Sequence, residues 1–245
     1  MSSKCKELKN QINKLEQKAS EFFELYKQGK KAENLEDLID LKKEIDELII
    51  DLGGRFIKKK ITDWVTKATG ITDEFQIETW LNVGGFDFTD PLRVEVNGDL
   101  DLDDYPNMTE VPAVVKINGT LKANNTKKLH ADLLEEVIGG ILVDSVKDFK
   151  ADSLQTVMGN IYAPDIEKLD LPSLKVVAGM ISAPSAKSLK AGSLERVDFS
   201  FTISNADEIN LSNIKEIGGE LYIKKGVEIP ENVKKAVKGE IIEVE

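Results

Sequence analysis

The sequence predicts an α+β protein: an N-terminal helical hairpin plus a third helix, followed by a right-handed parallel β-solenoid with 20-residue rungs. Three observations carry this. Heptad-like apolar stripes run through the first 70 residues or so. Near residue 93 the texture changes to alternating apolar positions, β-branched residues and spaced glycines. Finally, Gly119, Gly139, Gly159, Gly179, Gly219 and Gly239 are separated by twenty residues or a multiple of twenty, with Phe199 alone breaking the series.

The first stripe is Leu8, Ile12, Leu15, Ala19, Phe22 and Tyr26, at steps of four and three with lysines and glutamates between. That spacing places apolar side chains on one face of a helix. The second is Leu35, Leu38, Leu41, Ile45, Leu48 and Leu52. The short polar join Gln28 to Asn34, with Asn34 as cap, favours antiparallel neighbours. Gly53-Gly54 is expected to stop the second helix. A third amphipathic piece then carries Phe56, Ile57, Ile61, Trp64, Val65 and Ala68 on one side, closed by Gly70. Residues 71–92, with Phe75, Trp80, Leu81, Phe86 and Phe88, are too aromatic for a free linker and read as a packed junction capping the first rung. The domains expected are thus 1–70, 71–92 and 93–245.

In the repeating part several columns share the period. Leu121, Ile141, Ile161, Ile181, Phe201, Leu221 and Ile241 form one, and Val137, Val157, Val177, Val197, Ile217 and Val237 another. Leu129, Phe149, Leu169, Leu189, Ile209 and Ile229 form a third, and Leu134, Leu154, Leu174, Leu194 and Ile214 a fourth. Thr126, Val146, Ile166, Ala186 and Ala206 make a fifth of small or aliphatic residues. A twenty-residue unit cannot bury its own apolar face, but stacked copies place each column above itself and form one core. About seven rungs are expected. Glycine suits the corner, where positive φ or close approach of rungs is required. Pro230 to Val237 reads as a short capping helix before a final strand from Gly239 to Val244, whose Glu240, Glu243 and Glu245 discourage edge pairing.

The unit Ser153 to Ala163, followed by Leu169-Asp170-Leu171-Pro172-Ser173-Leu174, resembles the leucine-rich right-handed β-helix of receptor L domains and related leucine-rich-repeat-like proteins. The likeness covers roughly residues 93–242 and implies protein binding or scaffolding. The disulfides of extracellular receptors and the long asparagine ladders of standard leucine-rich repeats are absent from this sequence.

Charge and composition bound the function. The 245 residues are 41% hydrophobic, enough for a packed core, and carry formal net charge −11 with only Arg55, Arg93 and Arg196 as arginines. Such a chain lacks the basic footprint that nucleic acid requires. It has no run of roughly 18 apolar residues for a membrane span. Its polar start predicts no secretory signal. The single cysteine, Cys5, fits a reducing compartment, and the cytoplasm is the expected location. Lys58-Lys59-Lys60 reads as a solvated helix face rather than a site for an anionic surface.

No catalytic, cofactor or metal set emerges. The outward positions of one ladder read His130, Lys150, Asp170, Lys190 and Asn210, an alternation rather than a cluster. Asp165, Glu167 and Asp170 belong to the same solvated face, and His130 has no nucleophile or second ligand in its rung. Cys5 is far in sequence from any histidine. The acidic run from Asn97 to Asp104 lacks a complete calcium loop and reads as a turn plus strand. A contact strip is the better candidate: Lys122, Leu142, Tyr162, Ser182, Thr202, Tyr222 and Ile242 occupy one outward column, and Leu142, Tyr162, Thr202, Tyr222 and Ile242 are its candidate contact residues. Its occupant is either a partner protein or the chain's own helices, since a helix of about 24 residues is about 36 Å long and seven rungs span roughly 30 Å. The expected function is a non-enzymatic interaction or scaffold module, with homo-oligomerisation through the N-terminal helices. The alternative is a carbohydrate-active β-helix enzyme.

Overall fold

A computed structural model describes residues 10, 13–21, 24 and 35–245. Leu8, Ile12, Phe22, Tyr26, Cys5, the join from Gln28 to Asn34, and the side chains of Leu35, Leu38 and Leu41 lie outside the described residues. The chain divides into two compact units, one of 1–60 with 90–92 and one of 61–89 with 93–245.

In the first unit, residues 13–21 are helical, and Lys18 pairs with Glu44 on the next helix. That helix does not stop at Gly53-Gly54. It runs unbroken from Leu35 to Thr69, so the second and third pieces are one element of 35 residues. The glycines serve packing instead. A Cβ on Gly53 would stand 2.3 Å from Leu92 Cδ2, and one on Gly54 2.5 Å from Pro91 Cβ. The missing side chain of Gly54 leaves room for Pro91 against the helix, whereas at Gly53 the obstacle is the movable tip of Leu92. Phe56, expected on the buried side, is 69% exposed. Gly70 does end the helix, at φ 74°, with its amide bonded to Thr66 O.

The second unit begins with the last turns of that helix, where Ile61, Trp64 and Val65 are buried. The junction holds a second helix, Glu74–Val83, capped by Asp73, whose carboxylate accepts the Gln76 amide at 3.0 Å. Trp80 stacks edge-on against Trp64 and against Tyr105, each at 5.9 Å, and its Nε1 donates to Tyr105 Oη at 3.1 Å. Phe86 completes the cluster at 5.9 Å from Trp80. Gly85, at φ 73°, turns the chain so that Phe86–Asp87 pairs antiparallel with Val94–Val96. An antiparallel strand thus forms the outer edge of the otherwise parallel first sheet. Phe75, however, is 77% exposed and takes no part in the aromatic cluster.

From Val94 the chain coils as a parallel β-solenoid of about eight turns. The first sheet orders Phe86–Asp87, Val94–Val96, Val114–Ile117, Glu136–Val137, Thr156–Val157, Val176–Val177, Arg196–Val197 and Glu216–Ile217. The second orders Leu100–Asp101, Leu121–Lys122, Ile141–Leu142, Ile161–Tyr162, Ile181–Ser182, Phe201–Ile203, Leu221–Lys224 and Ile241–Val244. The third holds five strands, from Lys128–His130 to Glu208–Asn210. The turn beyond the expected seven is the first. It pairs Val94 with Val114 but Val96 with Ile117 across a bulge, and Leu100 with Leu121, so one extra residue hides it from a strict twenty-residue search.

The columns that fall on strands coincide with the pairing register, except that Ile229 lies outside any strand. Leu121, Ile141, Ile161, Ile181, Phe201, Leu221 and Ile241 are successive partners, and all but Ile241 are buried. Leu134, Leu154, Leu174 and Leu194 are wholly buried. Thr126, the polar member of its column, satisfies its hydroxyl on Lys128 O at 3.0 Å. The glycine column is explained by close approach rather than by positive φ. A Cβ on Gly159 would lie 2.7 Å from Gly139 O, and one on Gly179 2.5 Å from Gly159 C. The amide-to-carbonyl bond along this column is 2.8 Å at Gly139 and Gly159, then 3.3 Å at Phe199 and 3.2 Å at Gly219 and Gly239. At the far end Glu231–Ala236 forms the expected helix, with Val233 and Ala236 buried, and Ile241–Val244 forms the final strand.

Candidate functional site

The candidate strip is built by the second sheet. Strands two to four residues long alternate inward and outward, so the residue after each buried Leu, Ile or Phe faces water. Parallel pairing in exact twenty-residue register then stacks Lys122, Leu142, Tyr162, Ser182, Thr202, Tyr222 and Ile242 as nearest neighbours along the coil. All five expected contact residues therefore share one ladder. Tyr162 is 41% exposed, and Leu142, Thr202, Tyr222 and Ile242 are half-buried by the residues above and below them. At the start of the strip Lys122 Nζ is held by Asp99 at 3.3 Å and by Asp101 at 3.5 Å, and the Asp99 contact foremost keeps the lysine above its ordinary pKa. From Leu142 to Ile242 the column carries no charge.

The strip continues onto the corner leading into it from the first sheet, a feature the sequence reading missed. Ile138, Met158 and Met180 are exposed there, and Phe199 is 63% exposed at the glycine position. Phe199 was legible as the break in the series, but Ile138 and Met158 share a column with Ala178, Asp198 and Gly218, and Met180 one with Gly140, Asn160 and Ser200, so they gave no periodic signal.

The other candidates resolve as structure. Asp99 accepts the Thr120 amide at 2.8 Å and Asp103 accepts the Asn124 amide at 2.6 Å, so carboxylates of the acidic run bond to the next rung. The Thr120 amide is the main reason Asp99 sits below the usual carboxylate range. On the third sheet His130, Lys150, Asp170, Lys190 and Asn210 stack as successive partners. His130 Nε2 lies 3.5 Å from Asp148, and Lys150 pairs with Asp152 at 2.8 Å and Asp132 at 3.6 Å. Among the described residues no three His, Cys, Asp or Glu side chains gather as a metal site. Lys58, Lys59 and Lys60 are exposed.

A second unpredicted feature is a shallow open groove of about 400 Å³ lined by Glu135, Ser153, Gln155, Ser173, Lys175 and Ser193. Its three serines stand at twenty-residue spacing in the sequence, but a polar column carries no sign of burial and so does not stand out as the apolar columns do. Arg93 clasps Glu135 through two bonds, at 2.8 and 3.3 Å, and holds its carboxyl below the usual range.

Comparison with family models, curated proteins and solved structures returned no match in any of the three.

Proposed function

We propose that this chain is a non-enzymatic protein-interaction or scaffold module of the cytoplasm, working without a cofactor, and that its contact surface is the outward ladder of Leu142, Tyr162, Thr202, Tyr222 and Ile242. One observation carries the reading: an in-register, uncharged column with aromatic and aliphatic side chains on the outside of the coil. Contiguous apolar patches and tyrosine-rich surfaces are characteristic of protein contacts. The resemblance to receptor L domains points the same way. A net charge of −11 disfavours nucleic acid, and no described helix is long and apolar enough to cross a membrane. Exposed Ile39, Ile49, Ile50 and Phe56 on the long helix support the further proposal of self-association through the N-terminal helices.

The carbohydrate reading keeps one supporting observation, the serine-lined groove. Its single carboxylate, Glu135, is kept ionised by Arg93 and is ill suited to donate a proton, so the groove suits sugar binding better than cleavage.

The test places a photoreactive phenylalanine analogue at position 162 or, as control, at Lys190 on the third sheet, in cells making the full chain. Protein adducts formed at 162 and not at 190 are expected. Equal yields at both, or none at 162, overturn the assignment of the surface.

A further inference from the structure

The strip reads the same in both directions. Taken about the midpoint between Ser182 and Thr202, the column pairs Ser182 with Thr202, Tyr162 with Tyr222 and Leu142 with Ile242. Small meets small, aromatic meets aromatic, and aliphatic meets aliphatic. A twofold interface is isologous, so each residue must complement the one it meets across the dyad, and these matched small, aromatic and aliphatic pairs do so. We propose that the partner of this face is a second copy of the chain, packed face to face with the coils antiparallel and the dyad lying along the strand direction between these two rungs. This deepens the interaction reading above and rests on it.

The flanking columns agree. A dyad along the strands keeps each column facing its own counterpart. On one side it sets Met180 opposite Ser200, Asn160 opposite Glu220 and Gly140 opposite Glu240. On the other it sets Pro184 opposite Ser204, Pro164 opposite Lys224 and Asp144 opposite Val244. No two charges of one sign oppose each other, the condition that usually excludes a wrong partner. Phe199, the bulky residue in a glycine column, falls level with Gly179 of the second copy. The competing dyads fare worse. One parallel to the coil axis sets Lys122 against Lys122 and Asp101 against Asp101, and one centred on Ser182 sets Lys122 against Ile242 and Tyr162 against Thr202.

The extent of the face sets the strength. Leu142 to Ile242 spans about 24 Å at about 4.8 Å per rung, and five residues from the corner to the strip cover about 16 Å. A footprint of roughly 400 Å² per copy belongs with small, transient interfaces. A weak, concentration-dependent association is expected.

The experiment uses the full chain with Cys5→Ser, in a dilution series through micromolar concentrations, read by light scattering and sedimentation. The mass should rise from one chain to two. Tyr222→Lys should shift the midpoint at least tenfold, with unchanged circular dichroism, and Tyr162→Glu added to it should restore much of the loss, because position 162 meets 222 twice. A short bis-maleimide should join chains carrying Tyr162→Cys with Tyr222→Cys, and should not join chains carrying Tyr162→Cys alone. A mass of one chain throughout, a two-chain mass indifferent to Tyr222→Lys, or efficient joining through position 162 alone overturns the proposal. Photo-adducts at 162 made only with other proteins would overturn it while leaving the interaction reading intact.

Discussion

Ile161 and Tyr162 are neighbours in the chain and opposites in the fold, and truncating each to alanine separates the solenoid register from any alternative. Ile161 is wholly buried between Ile141 and Ile181, whereas Tyr162 is 41% exposed between Leu142 and Ser182. Ile161→Ala removes three carbons at about 0.8 kcal/mol each, about 2.4 kcal/mol of transfer free energy. An unrelaxed cavity of about 80 Å³, at about 24 cal/mol per Å³, adds up to about 2 kcal/mol. The loss should therefore be about 2–4 kcal/mol. Tyr162→Ala gives up only partial burial and lateral contacts worth about 0.2–1 kcal/mol each, so its cost should stay near or below about 1 kcal/mol. Urea unfolding at sub-micromolar concentration, below any association, measures both. Because stacked repeats can unfold in parts, amide exchange of the rungs at 141, 161 and 181 should accompany it. An Ile161→Ala loss under about 1 kcal/mol, or equal losses at both positions, would refute the claim that one faces the core and the other faces water.

Gly159→Ala should cost about 1–3 kcal/mol, since its Cβ would stand 2.7 Å from Gly139 O and 2.9 Å from Gly140 N; thermal melts check this. Gly53→Ala should be neutral or stabilising by up to about 1 kcal/mol, because it sits mid-helix and its nearest obstacle is the movable tip of Leu92; the same melts decide the sign. Asp87, Asp99, Glu135, Glu195 and Glu220 all sit below the usual carboxylate range. Their stabilisation is complete above the unfolded carboxylate pKa and is lost as pH falls through the lower folded values, so an acid titration of the melting temperature should drop below about pH 4. Lys116, Lys122 and Lys150 are raised, so their contribution persists below the unfolded lysine pKa and fades only above about pH 10. Trp80→Phe keeps the aromatic packing but removes the donor to Tyr105, and should cost about 0.5–1.5 kcal/mol by urea unfolding.

What could be read in the sequence was whatever repeats. The core columns recur because each rung meets the same environment, and five such columns with the glycine column, all at one period, reveal it without any structure. What could not be read depends on single, non-local contacts. Gly53-Gly54 looks like a helix stop locally, yet it accommodates Pro91 and Leu92 some forty residues away. The first turn lay within the solenoid expected from residue 93 but added no member to the columns, because one residue is inserted between Val114 and Lys116. The helix Glu74–Val83 was hidden by the aromatic density of its segment, although Asp73 marked its start. The exposed corner of Ile138, Met158 and Met180 has no period because its columns mix apolar residues with aspartate, serine and glycine.

The apolar character of the strip is not required by folding, and this is the strongest reason to read it as a contact surface. In the same column Lys122 fits without strain, neutralised by Asp99 and Asp101, so the position accepts a charge when carboxylates stand nearby. The third sheet shows how this chain usually treats outward columns. There lysine, aspartate and lysine alternate at 150, 170 and 190, and Lys150 is relieved by Asp132 and Asp152. Alternation avoids stacked like charges and keeps the face wet. A chain with 31% charged residues leaves six successive rungs uncharged in this column, and unlike the serine column at 153, 173 and 193 it fills them largely with aromatic and aliphatic side chains. Core packing cannot explain the choice, since the inward neighbours Ile141 to Ile241 are the same kind of residue whatever faces out beside them. What remains is a requirement imposed from outside the rung, and the proposed contact with another protein would supply one.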